Sequence, residues 1–306
     1  MRPSKKPSNA SLLLNGAALL VVLASFGTVL RSVFAPEETP PCRDRYTHGL
    51  RFSLERNGTL VSAAELQGEA SNTDWGLTSA VRAVKLKSGP ANAALELDLA
   101  TAATVSEDKP TKRRGMGFHW TPDSFGNPQG ACLVYSVFVP EDFAFGSGGR
   151  LPGLLGSFSR DRSDADPAFS ARYMWSETGA LDIYSQLPAA KEGRSAEVAP
   201  HAAFKMTPGK WTELEQEIVI NTPGLSDGVL RVWQDGKLFI ERKNVLFRVK
   251  PSAALSGVLV EMARADGAGG EKKQSPQKIW LSPLELRWNR PEQQPKPAAD
   301  PQPPSD

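Results

Sequence analysis

The segment from Phe169 to Leu187 gathers side chains able to hold an anion and move a proton. Neighbouring residues of a strand point to opposite faces, so parity sorts them. Phe169, Ala171, Tyr173 and Trp175 share one face, matched on the next strand by Leu181, Ile183 and Leu187. Ser170, Arg172 and Met174, then Asp182, Tyr184 and Gln186, fall on the other. A guanidinium grips a planar carboxylate through two parallel hydrogen bonds, and a serine hydroxyl adds another. A phenol can trade protons when nearby cations lower its pKa toward the working pH. The competing reading is an ordinary solvated sheet face in which Arg172 pairs with Asp182, because antiparallel sheets commonly keep a polar side.

The elements that must position this hairpin read as strands. The 26 glycines and 25 prolines favour short strands joined by turns over long helices. Past Pro41, period-two alternation marks Gly49 to Leu54, Ala80 to Leu86, Ala94 to Leu99, Arg114 to Trp120 and Ala131 to Val139. A glycine-rich loop, Gly146-Ser147-Gly148-Gly149, leads into Arg150. From Trp211 to Asn221, Glu213, Glu215 and Glu217 alternate with Leu214, Gln216 and Ile218, which predicts an edge facing water. Val229 to Gln234 and Lys237 to Glu241 flank Asp235-Gly236, a two-residue hairpin turn. Leu255 to Ala263 and Lys278 to Trp288 complete the set. About a dozen strands without a convincing helix between them predict an all-β fold, a jelly-roll or concanavalin-like sandwich of two antiparallel sheets.

The N-terminus predicts one helix ahead of that sandwich. Arg2, Lys5 and Lys6 precede an uncharged run from Leu12 to Leu30, and such a helix reaches about 28 Å, close to the hydrocarbon thickness of a bilayer. It reads as a signal anchor, or as a signal peptide cut near Val22-Leu23-Ala24, and either puts the domain outside the cytoplasm. The expected organisation is a basic leader (1–11), the apolar segment (12–30), a linker (31–41), the sandwich (42–289) and a proline-rich tail (290–306). Cys42 and Cys132 are a disulfide candidate, left open because sequence cannot show their separation. His48, His119 and His201 are scattered and form no metal-binding cluster with the cysteines, so neither metal nor cofactor is expected. A net charge of +2 gives no field steering the chain to nucleic acid. Asn57-Gly58-Thr59 is a weak glycosylation sequon.

Five pieces in series carry a resemblance: LVYSVFVPEDFAF (133–145), GGRLPGL (148–154), FSARYMW (169–175), GKWTELEQEIVINTPG (209–224) and DGVLRVWQDGK (227–237). The stretch resembles the jelly-roll polysaccharide lyases of families 14 and 20. The resemblance implies β-elimination on a uronic-acid polymer such as alginate or glucuronan. It implies roles for Ser170 and Arg172 on the Ser-x-Arg strand, and for Tyr184 on the next. The family's second tyrosine falls at Gln186 and its loop lysine at Arg150, where the charge survives without the titratable amine. A proton base, an acid for the departing oxygen and cations where carboxylate charge develops are what that reaction requires. Arg150 and Arg172 would neutralise the uronate, Ser170 would assist, and Tyr184 would move protons. Gln186, Asp182 and His119 would contact substrate, His119 lying opposite in parity to Met116, Phe118 and Trp120. Val260 to Gly270 carries Glu261, Arg264 and Asp266 where an aromatic-glycine segment is expected. Three classes stay open at this stage: a lyase, a carbohydrate-binding protein on the same scaffold, and a cell-envelope structural domain.

Overall fold

The computed structural model describes residues 39–70, 74–100, 102–104, 112–157, 168–188, 204–265 and 278–289. The basic leader, the apolar segment 12–30, most of the linker, the tail from 290 and His201 lie outside these residues. Among the described residues no helix is long and apolar enough to cross a membrane.

In chain order the strands are β1 (His48–Arg51), β2 (Glu55–Arg56), β3 (Thr59–Leu60), β4 (Val81–Lys85), β5 (Ala93–Asp98), β6 (Ala102–Thr104), β7 (Lys112–Trp120) and β8 (Gly130–Phe138). There follow β9 (Gly149–Ser157), β10 (Phe169–Trp175), β11 (Leu181–Gln186), β12 (Trp211–Val219), β13 (Gly228–Gln234) and β14 (Lys237–Val245). The last are β15 (Ala254–Arg264), β16 (Lys278–Leu281) and β17 (Glu285–Trp288). A six-stranded sheet runs β11-β10-β9-β15-β7-β6, and a nine-stranded sheet runs β14-β13-β12-β8-β16-β5-β4, with β17 joining β8 to β1. The ladders are antiparallel, and the two sheets stack as the alternating pattern requires.

Three local features depart from expectation. The segment 278–288 is two strands, because Pro283 cannot donate to a ladder. Two short helices interrupt the strands, Ala63–Glu69 and Leu77–Ala80. The first is announced by Ser62 and Glu65, whose reciprocal hydrogen bonds form a capping box. Asn57 and Gly58, both with positive φ, turn β2 into β3, so the sequon dipeptide is also a hairpin signal.

The core joins the sheets through polar as well as apolar contacts. In β9 the register to β10 skips Pro152, a bulge that leaves backbone groups without ladder partners. Side chains from the opposite sheet satisfy them: Tyr135 donates to the Pro152 carbonyl at 2.9 Å, and the Leu154 amide donates to Gln216 Oε1 at 2.7 Å. Tyr173 donates to the Glu215 carbonyl at 2.9 Å and meets Tyr135 edge-on at 6.0 Å. Burial pushes both phenols well above their usual pKa, so they remain neutral donors.

The glutamate edge of β12 does not face water. Glu215 and Glu217 are buried, because the segment from Cys42 folds back over them. Arg43 pairs with Glu213 and Glu215, each at 2.6 Å. Arg45, Arg231 and the Tyr46 hydroxyl all reach Glu217 at 2.8 Å. Cys42 and Cys132 are bonded to each other with Cα atoms 5.7 Å apart, stapling this segment to β8. A Glu215 oxygen lies close to both sulfurs, but bonded sulfurs offer no thiolate to a metal.

Candidate functional site

The outward face of the six-stranded sheet is defined by register. Across four ladders the line Tyr184, Arg172, Gly153, Leu259, His119 runs from β11 to β7. One row along lie Asp182, Met174, Arg150, Ala263 and Gly115. Core residues such as Tyr173, Leu154, Val258 and Phe118 alternate with them on the inward side. Arg150 belongs to β9 itself rather than to the glycine-rich loop, whose last loop residue is Gly148.

Arg150, Arg172 and Tyr184 therefore share one face on three adjacent strands. The Arg172 guanidinium sits 5.4 Å above the centre of the Tyr184 ring, a cation–π arrangement. Arg150 is one-third exposed and Arg172 only 12% exposed at the side chain, so one guanidinium is open and the other sunk. Burial draws the Arg172 pKa down, against the pull of Glu261, which raises it.

Glu261 is the residue that sequence reasoning did not place. Its carboxylate takes Arg150 Nη1 on one oxygen at 3.1 Å and Arg172 Nη1 on the other. It stands opposite Gly117 on β7, in the stretch where β15 slips register against β9 between Leu259 and Ala263. A register slip of this kind re-aims side chains, and here it turns a carboxylate between two guanidiniums. The pairing of Arg172 with Asp182 is thereby overturned: Arg172 lies opposite Tyr184, Asp182 opposite Met174, and the anion on Arg172 is Glu261. Asp182 is half-buried, and that burial raises its pKa.

Trp75 walls this face on the β7 side. Its backbone bridges Gly117 at 2.8 and 2.9 Å, and its indole lies where a Gly117 side chain would be, against Ala263. Any Cβ at Gly117 would come within 2.3 Å of the indole nitrogen, so the wall depends on that glycine.

Two expected members stand apart. Ser170 is wholly buried, set between Gln186 and Leu155 in register, and its hydroxyl has no hydrogen-bond partner among the described residues. It does not join an open polar face, because parity gives a side chain's direction and not its cover. His119 lies four strands from Tyr184, about 19 Å at the usual strand spacing, too far to help it directly. It lines instead a cavity of about 300 Å³ with Glu69, Ala70, Thr121 and Asp123.

Burial pulls the His119 pKa below its usual value. A depressed histidine gives stability that is present above the unfolded pKa of about 6.5 and lost as pH falls through the folded one. His119→Gln should accordingly flatten the decline in melting temperature from about pH 7 to 5. An unchanged profile would assign that decline to other groups.

The described strands form a two-sheet antiparallel sandwich that carries two arginines and a tyrosine on one sheet face. The chain belongs to the polysaccharide lyase 14 family, which matches residues 90–263. Among solved structures it is similar to a marine alginate lyase of that family from Aplysia kurodai, with a TM-score of 0.57 at 20% identity. That match covers 79% of this chain and 99% of the other. It is also similar to the alginate lyase vAL-1 from Chlorella virus, with a TM-score of 0.52 at 18% identity over 68% and 89% of the two chains. The alginate lyase Aly36B, solved with an alginate trisaccharide, gives 0.53 at 16% identity over 80% and 100%. At these identities the likeness shows the fold. No curated protein matches.

Proposed function

We propose that this protein acts outside the cytoplasm as a lyase on a uronic-acid-containing polysaccharide, cleaving it by β-elimination at the face that carries Arg150, Arg172 and Tyr184. The observation that carries this reading is the placement of two guanidiniums and a phenol on three adjacent strands, with Arg172 over the Tyr184 ring at 5.4 Å. Family membership supports it, as do structural neighbours named for activity on alginate.

The chemistry follows from the groups present. Arg150 and the outer donors of Arg172 neutralise the uronate carboxylate, onto which charge spreads when C5 loses its proton. The Tyr184 oxygen acts as the base that takes that proton. The C5 electron pair forms the C4–C5 double bond as the C4–O4 bond breaks. Tyr184 then delivers the same proton to O4 and returns to its starting form. Arginine is not a base at physiological pH, and Glu261 is held between two cations, so proton transfer falls to Tyr184.

The test is incubation of the purified protein with alginate, polyglucuronate and mixed uronate polysaccharides, followed by ultraviolet absorbance of the unsaturated uronate. Product formation is expected. Retention of polymer without product would replace the lyase with a carbohydrate-binding protein, a second reading favoured by Gln186 and by the arginines' existing carboxylate partner.

The Cys42–Cys132 bond supports a domain in an oxidising compartment, as does the apolar run 12–30 ahead of it. Alkylation of the chain directly in cell extracts should find both thiols blocked; labelled cysteines would place the domain in a reducing compartment.

A further inference from the structure

Glu261 changes what the arginine patch can accept. Two guanidiniums alone would present two positive charges, but the carboxylate bridging them leaves one. In the next row Asp182 stands two strands from Arg150, across Met174, so the charges of Arg150, Arg172, Glu261 and Asp182 balance among themselves. Toward the other flank, the cavity beside His119 is lined by Glu69 and Asp123 and, among the described residues, by no lysine or arginine; Arg56 pairs with Glu69 from outside that lining. A homopolyuronate brings a carboxylate on each sugar and calls for a continuous positive track. The described face supplies a single positive focus with carboxylates to either side. Like charges set against one another across a binding surface act chiefly by rejecting the wrong partner.

We propose that Glu261 is a specificity-determining residue, and that the site takes a heteropolysaccharide in which one uronate is flanked by neutral sugars, in preference to a homopolyuronate. This rests on the reading that a uronate carboxylate meets Arg150 and Arg172. Glu261 also sets the geometry of that encounter. Each of its oxygens occupies one Nη1, so both guanidiniums are fixed while Arg150 keeps an exposed edge for the incoming carboxylate.

The experiment compares gellan, whose repeat carries one glucuronate among neutral sugars, with polyglucuronate. Equilibrium affinity and unsaturated product are both measured, for the unaltered protein, Glu261→Gln and Asp182→Asn. The unaltered protein should favour gellan in affinity. Glu261→Gln should raise affinity for polyglucuronate relative to gellan about tenfold, as expected for removing one buried charge beside the exposed edge of Arg150. Asp182→Asn, at a half-buried position, should move the ratio the same way and keeps the question answerable if Glu261→Gln does not fold. A preference for polyglucuronate in the unaltered protein, or ratios unmoved in both variants, would overturn the specificity role. If neither polymer yields product, the lyase reading fails while the affinities still rank the polymers. If neither polymer binds, both readings fall.

Discussion

Tyr184→Phe should lower turnover of a uronate polymer about 10²- to 10⁴-fold while leaving affinity nearly unchanged, since positioned proton transfer contributes about that much. In free energy this is about 3–5 kcal/mol of lost transition-state stabilisation. The substitution is narrow, because phenylalanine keeps the ring that Arg172 covers and removes only the hydroxyl. No other tyrosine can stand in. The chain has four. Tyr46 lies on the nine-stranded sheet, bonded to Glu217. Tyr135 and Tyr173 are buried between the sheets, each donating to a backbone carbonyl. Single-turnover rates separate the chemical step from release, and the melting temperature should stay close to that of the unaltered protein. A turnover loss below about threefold would move proton transfer to another group and withdraw Tyr184 from the mechanism.

What the sequence revealed depended on whether a residue's surroundings are local in the chain. The β10–β11 ladder runs without a slip from Ser170 to Leu181, so simple parity put Arg172, Asp182 and Tyr184 on one face. Parity alone could not pair them, and the register set Tyr184, not Asp182, beside Arg172. Glu261 is 111 residues from Arg150 and 89 from Arg172, and two register irregularities aim it between them. Alternation in Val258 to Met262 does give Glu261 the parity opposite to the core residues, but nothing local says which strand lies beside it. Glu215 and Glu217 misled for a related reason. Alternation called their side of β12 polar, and it is, but the arginines that bury it return from 172 residues earlier. By contrast, the Ser62–Glu65 capping box and the Asn57-Gly58 turn are local signals that the chain carries, although alternation alone announced neither the helix nor the hairpin.

Replacing both Cys42 and Cys132 with serine should cost about 4–5 kcal/mol in the chain-entropy limit, given the 90-residue separation that the bond closes. For a domain of this size that is a fall of about 10 °C in melting temperature. The bond restricts the unfolded chain, but it also holds down the segment that covers Glu215 and Glu217. Freed from the staple, the segment is held by the ion pairs of Arg43 and Arg45, each about one-third exposed at its side chain, and by hydrogen bonds from Tyr46 to Glu217 and from Arg287 to the Arg43 and Tyr46 carbonyls. If the segment lifts, Glu217 loses Arg45 and Tyr46 and keeps Arg231, so water takes over the charge that the segment now shields. The loss should therefore grow with salt, because screening weakens the ion pairs that remain. Calorimetry of the double variant at low and high ionic strength measures both effects. Turnover at 25 °C should persist, since the staple lies on the nine-stranded sheet and touches neither Arg172 nor Tyr184. Intact stability in the double variant would mean that the ion pairs and hydrogen bonds hold the segment without the staple. Turnover lost while the fold persists would mean that the outer staple governs the opposite face, through Tyr173 and its bond to the Glu215 carbonyl.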